Sequence, residues 1–429
     1  MYFWEQSSAE QRLLTRGGRG VISNVLFVLY HDFTANSATH VHAISEELIA
    51  LGYECQIAVP KNKESVAGLG ACAAKTIDFA DAEAGGVIYS NGGGPDIIHA
   101  WTPREVVRRF CEAVRIRYAS QLFVHLEDNE FHILSRNVGK PLSEILALSS
   151  ADLDRLIPPS FSHPHRANEF LRSATGVTII IDRLAEFVPA GPPIMELWPS
   201  ASRGLFKPRS QSASERKRYG IPNNSTVLVY TGNTHGANAR EMRSLYLAVA
   251  ILNREGHSTT LVRAGRDYCP FLGPDETWAR RHSIELGMTP HCDIPPLLAL
   301  ADVLVQPGQP GEFNDYRFPS KLPEFFSVGR PVVLPRSNIA RYMTHGEHGY
   351  IVSDLNAVAI ADAVRTIMED RDLYSRLAAG AVSFFNSHLD WAISAKKLSD
   401  FYQSAANQTA ETASPAPAQV NSSRAASMQ

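Results

Sequence analysis

No apolar run in the 429-residue chain approaches the roughly 18 residues that a membrane-spanning helix needs. The first twenty residues, MYFWEQSSAEQRLLTRGGRG, carry acids and lack a continuous apolar stretch, so they do not read as a secretory signal. Cysteine is sparse. The five residues Cys55, Cys72, Cys111, Cys269 and Cys292 are odd in number, widely spread and without a CxxC pair, which argues against a disulfide framework or thiolate metal centre and fits a reducing cytoplasm. An excess of charge is missing too: 41 Lys and Arg stand against 44 Asp and Glu, a net charge of -3 that gives no electrostatic ground for binding nucleic acid. There is no GxSxG, no P-loop and no GxGxxG after a strand, and the histidines show no metal-ligand spacing. The expectation is a cytoplasmic protein with no metal and no cofactor, for which attachment to the inner face of a membrane stays open.

What is present is a repeated alternation of short apolar runs and helical periods. VLFVLY (25–30) is followed by a polar loop and then by a stretch in which Val41, Ile44, Leu48 and Leu51 recur at helical spacing, with Ser37 as a plausible cap and Gly52 as the stop. QIAVP resumes a strand, which makes a βαβ unit. DIIHAW (96–101), QLFVHLED (121–128), GVTIII (176–181) and MELWPS (195–200) continue the series, and His163 and His165 fall in a Pro- and His-rich loop. After a polar, basic stretch at 200–220 a second series begins at TVLVYTGN (226–233) and runs through STTLVRAG, DVLVQPG and VVLP. Residues 405–429 have too little apolar content to pack and read as a disordered tail. Two consecutive open α/β domains imply a cleft bounded by the carboxyl ends of both sheets, where ligands of such sheets bind.

The segment FNDYRFPSKLPEFFSVGRPVVLP (313–335) carries the most specific signal. With Ser320 as the cap and Lys321 opening a short helix, Pro323 falls in the first turn, where its missing N–H removes no intrahelical bond. First-turn amides and a lysine attract a phosphate or diphosphate, and Glu324, three residues on and on the same face, suits the vicinal hydroxyls of a ribose. The bland alternative is an ordinary surface pair between Lys321 and Glu324. In the first half, VHLEDNE ends a strand with His125, Glu127 and Asp128 clustered, either to activate or orient an acceptor hydroxyl or as charges solvated at a strand end.

PSKLPEFFSVGRPVV resembles the signature region of retaining, group 1 (family 4 type) glycosyltransferases of the GT-B fold, and the resemblance extends over most of residues 22–400. It implies two Rossmann-like parallel-sheet domains facing across a cleft: an extension at 1–22, an acceptor domain at 23–203, a donor domain at 204–385, and a helix at 386–404 crossing back to the acceptor domain. It implies transfer of a sugar, with retention and without a metal, from a nucleotide-sugar donor to a glycan, lipid-linked or small-molecule acceptor. A binding protein without transfer, or an epimerase or phosphorylase on the same scaffold, is the alternative. By resemblance Glu324 holds the donor ribose and Arg317 and Lys321 lie near the diphosphate, with Gly232, Asn233, Arg240 and Arg266 as further donor contacts. Asn238 and Glu241 have the spacing of a capping box at the next helix start. Tyr316 stands where relatives have a carboxylate, with Asp315 or Glu312 as substitutes. On the acceptor side the resemblance points to Asn36, Ser37, His40, Trp101 and Arg104, with Trp101, where a functional His often stands, either stacking on a sugar or closing the cleft.

Overall fold

The computed structural model describes residues 23–413; the expected extension at 1–22 and residues 414–429 of the expected tail lie outside the described residues. The first half contributes seven strands: β1 (Asn24–Val28), β2 (Glu54–Val59), β3 (Lys75–Asp78), β4 (Ile97–Trp101), β5 (Gln121–Leu126), β6 (Gly176–Ile179) and β7 (Ile194–Glu196). They lie in the order β3-β2-β1-β4-β5-β6-β7. The second half contributes six: β8 (Thr226–Thr231), β9 (Thr259–Ala264), β10 (Ser283–Glu285), β11 (Val303–Val305), β12 (Val332–Pro335) and β13 (Tyr350–Val352), in the order β10-β9-β8-β11-β12-β13. All the pairings are parallel.

Parallel sheets are covered by helices on both faces, which is why the central strands are continuous apolar runs instead of alternating ones. All of β1 is buried, as are Leu228, Val229, Leu304 and Val333 of the second sheet. In each sheet the chain winds outward in both directions from one strand: β1 lies between β2 and β4, and β8 between β9 and β11. The two crevices so created are where such sheets bind ligands. They are bordered by residues 29–37, 101–104 and 127–130 in one domain, and by 232–238 and 306–321 in the other.

The chain passes from the first domain to the second at about residue 200 and returns beside the same point. Ala201 N donates to Leu389 O at 2.9 Å, and Arg203 pairs with Asp390. The returning helix, Trp391–Ala413, packs on the first domain: Tyr402 Oη lies 2.7 Å from His99 Nδ1, and Ser399 Oγ lies 2.8 Å from Tyr53 Oη. This helix corrects the expected tail. Residues 405–413 continue it, and Ala405 is buried; a stretch rich in Ala extends a helix already nucleated by packing, although it has little to bury itself. His163 is a second correction. It is buried and caps helix Pro164–Arg172, its Nδ1 accepting from Arg166 N, whereas His165 is exposed.

Candidate functional site

On the second domain the site grows from two glycine turns. Gly232 (φ +148°) and Gly265 (φ +140°) follow β8 and β9, and a Cβ on Gly265 would lie 2.1 Å from Gly232 O. Only glycine lets these backbones touch. Gly232 in turn faces Lys321, whose Cε and Nζ would meet a Cβ there at 3.0 and 3.3 Å. The Lys321 ammonium lies 4.9 Å from the Tyr230 ring centre and makes no ion pair among the described residues. A half-buried cation that no carboxylate pairs with directly suits a soluble anion, although Glu241 is near enough to feel its charge.

The helix at this point is Leu322–Ser327, with Lys321 as its cap residue. The expected Ser320 cap is absent, and six residues carry little dipole, so the charge comes from side chains. Arg317 lies over the Phe313 ring at 3.9 Å, donates to Asn314 Oδ1 at 3.0 Å and pairs with Glu241 Oε2 at 3.5 Å. Glu241 therefore forms no capping box with Asn238, whose side chain instead bonds His235 N and Asn233 O within the loop. Burial raises the Glu241 pKa, against the opposing pull of Arg317, Asn314 and Lys321. Desolvation, then the charges of Arg317 and Lys321, hold the His235 imidazole below its usual range. The resulting cluster is positive around the glycine loop. Glu324 is 17% exposed, and its Oε1 lies 3.0 Å from His291 Nε2, an exchange that raises the His291 pKa.

Four sequence candidates here have other positions. Arg240 and Arg266 are exposed, and Arg266 meets the loop only through its backbone N–H to Asn233 Oδ1 at 2.8 Å. The arginine that the sequence did not single out is Arg263. Buried to 1% exposure, it pairs with Asp267 at 2.6 Å and donates to Thr234 Oγ1 at 2.7 Å, bracing the loop from below. Asp315 accepts from Gly311 N at 3.1 Å and closes its own turn, so it is not a free carboxylate. Glu312 is 82% exposed and reaches His132 of the other domain at 3.4 Å.

The first domain supplies the facing wall. Ser37 was expected to cap helix Asn36–Ala50, but the cap residue is Ala35 without a side-chain bond. Ser37 Oγ–H donates instead to Glu127, and His40 Nδ1 lies 3.1 Å from Glu127 Oε1. Asn36 is exposed beside them. Burial opposes the charge on Glu127, yet the His40 contact and the Ser37 hydroxyl hold its carboxyl down at about 2. Asp128 goes the other way. It makes no hydrogen bond or ion pair among the described residues, and desolvation followed by repulsion from Glu127 and Glu130 pushes it up to about 7. Arg104 and Arg317 pull against that rise, and since Arg317 belongs to the second domain, Asp128 faces the cation cluster across the cleft. Arg104 itself lies over the Tyr30 ring at 4.0 Å and binds Glu130 through Nε at 3.1 Å.

His125 and Trp101 are corrections. Both are almost fully buried, their rings 4.0 Å apart, and burial takes the His125 pKa down to about 3. Both lie within strands of a sheet covered on its two faces, whereas Glu127 and Asp128 lie just beyond β5, at its cleft end. Trp101 is thus a core residue instead of a sugar platform. The next residue is one that sequence reasoning missed: Thr102 is buried with φ +77°, an uncommon conformation for a β-branched side chain. No sequence signal announces it.

The family comparison now has a geometry to attach to. Residues 225–370 match the family described as glycosyl transferases group 1. The match takes in 146 of the 429 residues and lies in the second domain. Lys321, Glu324, Arg317 and the glycine turns all lie within that domain. The described residues have the GT-B architecture: over 89% of its length the chain superposes on all of the Anabaena HepE structure, solved in complex with UDP and glucose, with a TM-score of 0.63 and 15% identity. Sucrose-phosphate synthase from Thermosynechococcus elongatus aligns with a TM-score of 0.62 at 13% identity, over 90% of this chain and 100% of that one. At such identities the likeness is one of fold. A D-inositol 3-phosphate glycosyltransferase of Corynebacterium glutamicum (strain R) is 25% identical over 219 residues, 48% of this chain and 50% of the relative, so the match takes in about half of the relative's length. No helix among the described residues is long and apolar enough to cross a membrane.

Proposed function

We propose that the protein transfers a sugar from a nucleotide-sugar donor to an acceptor hydroxyl, with retention of configuration and without a metal ion. The observation that carries this reading is the Lys321 ammonium, held against Gly232 with no carboxylate partner. In the reaction the bond between the sugar carbon and the diphosphate breaks, and charge grows on the leaving oxygen. Lys321 and Arg317 are preorganised to receive that charge, which is worth most in a site that excludes water. Glu324 has Oε2 left for the ribose hydroxyls once Oε1 has engaged His291. Asp128, across the cleft, holds the acceptor hydroxyl and can take its proton near neutral pH. The fold shared with a UDP- and glucose-bound protein supports a uridine nucleotide.

A second reading, donor or glycan binding without transfer, draws on Tyr316 and Asp315: the first reaches toward Glu186 of the other domain and the second caps its own turn, leaving no free carboxylate at either position. One experiment separates the two. UDP titrated into wild type and Lys321→Met, with UDP release from UDP-sugars followed in parallel, is expected to show binding weakened about 10- to 100-fold by the substitution. Unchanged affinity would remove Lys321 from the site; tight binding with no UDP release from any donor or acceptor would favour the second reading.

A further inference from the structure

Helix Asn36–Ala50 of the first domain is used twice along its length. Its first turns serve Glu127 through Ser37 and His40. Farther along, His42 and Glu46 stand four residues apart and so share one face of the helix. Against that face lies the loop that enters β3, at the end of the sheet away from the cleft, and the loop carries Cys72. A ring nitrogen of His42, a carboxylate oxygen of Glu46 and the Cys72 sulfur all lie within 4.8 Å of one another. All three residues are half-buried. The sequence does not show the group, because the thiol stands alone in a different element.

Each of these side chains is aimed by one bond to the loop backbone. His42 Nε2 lies 2.9 Å from Ala71 O, and since a carbonyl only accepts, Nε2 carries the proton and a neutral ring keeps its lone pair on Nδ1. Glu46 Oε1 accepts from Ala73 N at 2.6 Å, which leaves Oε2. An imidazole N–H given to a backbone carbonyl and a carboxylate held by a donor are the bonds that orient ligands around bound metals. Cys72 Sγ–H donates to Ala74 O at 3.3 Å.

Charge at this point is one-sided. Glu46 makes no ion pair among the described residues. Desolvation and then the Glu46 charge push the Cys72 thiol up, and the same carboxylate adds to the rise that burial causes at Cys55 and Glu47. A cation between Glu46 and Cys72 would turn that repulsion into attraction.

We propose that His42, Glu46 and Cys72 bind one Zn²⁺, or a divalent ion of similar softness, and so clip the helix to the loop before β3. Nitrogen, sulfur and carboxylate oxygen are the donors that Zn²⁺ takes, whereas Mg²⁺ and Ca²⁺ take oxygen. Ligands around a tetrahedral Zn²⁺ lie about 3.5 Å apart, so the three side chains draw in by roughly 1 Å, and water fills the fourth position. The Cys72 proton leaves to solvent as the sulfur–metal bond forms, and the thiolate with the Glu46 carboxylate balances the two charges of the ion. The ion sits apart from the donor cations and takes no part in sugar transfer.

The test uses the full chain stripped with EDTA. Zn²⁺ is titrated by calorimetry, and Co²⁺, whose thiolate complexes absorb in the near ultraviolet, reports whether sulfur is bound. One equivalent of Zn²⁺ is expected, with a thiolate-to-cobalt band that Cys72→Ser abolishes and that Cys292→Ser, at an exposed thiol elsewhere, leaves in place. Zn²⁺ affinity should fall at least tenfold in Cys72→Ser and in His42→Ala, the second being the reading to use if the first does not fold. Absence of saturable binding, binding without the sulfur band, or affinity indifferent to His42→Ala would overturn the proposal.

Discussion

Two neighbouring carboxylates, Glu127 and Asp128, are driven to opposite charge states by their surroundings. One is fixed as an anion by His40 and Ser37; the other, left without partners beside two more carboxylates, keeps its proton to about pH 7. On the proposed transferase reading such a separation suits two roles, with Glu127 holding the helix start and Asp128 exchanging a proton. In wild type kcat/KM should rise with pH through about 7 as Asp128 ionises. Asp128→Asn should flatten that rise and lower transfer by roughly 10²- to 10³-fold, with UDP affinity kept, as steady-state rates across pH 5–9 would show. The same group predicts a stability trend. Its folded pKa lies above the unfolded value, so between about pH 4 and 7 the native state holds a proton that the unfolded chain has released, and stability falls as pH rises across that window. Above about 7 the loss is complete, and Asp128→Asn should abolish the slope in denaturant titrations. The VHLEDNE motif brought both acids to notice, but which would be held and which left alone depends on Ser37, His40 and Glu130, up to 91 positions away.

At the scale of elements, the touching turns after β8 and β9 fix where the donor cations point. Gly265→Ala would press a Cβ into Gly232 O and place a side chain at φ +140°. A loss of about 2–4 kcal/mol in denaturant stability is expected, together with weaker UDP binding, because Gly232 must move away from Lys321. What the sequence could announce at this scale follows from periodicity. Central strands such as VLFV and TVLVY are legible because burial on both faces demands unbroken apolar runs. β3 and β13 are not, since each buries a single residue, Ile77 or Ile351, and so shows no apolar run. Caps misled for a related reason. Ser37, Ser320 and Asn238 have the residue types of caps, but Ser37 and Asn238 are claimed by Glu127 and by the 233–238 loop, and Ser320 sits one residue too early. The signature segment was legible because its spacing is set by ligand chemistry, and the Trp101 position was not, because the rings that bury it, Phe27 and His125, are distant in sequence.

On the whole-molecule scale, the donor domain is an uninterrupted stretch, whereas the facing domain is assembled from residues 23–200 and helix Trp391–Ala413. The helix contributes buried Trp391, Leu398 and Tyr402, and Tyr402 is bonded to His99 in the centre of the first sheet. A chain ending at residue 390 should therefore fail to form the first domain while residues 204–390 still fold, which limited proteolysis and circular dichroism of the two fragments would reveal. Contacts across the cleft, including Tyr342 Oη to Glu196 at 3.0 Å and Arg341 to Asp182, join the two bodies along one edge beside the paired crossings at 201 and 389. That pairing also imposes an order on synthesis. As the chain leaves the ribosome, the domain begun first must wait for the helix made after the whole donor domain, so the donor domain is finished first and the acceptor wall closes around it afterwards. During that interval the faces destined for Leu398 and Tyr402 stand open to other chains, so crowded synthesis is expected to invite misassembly.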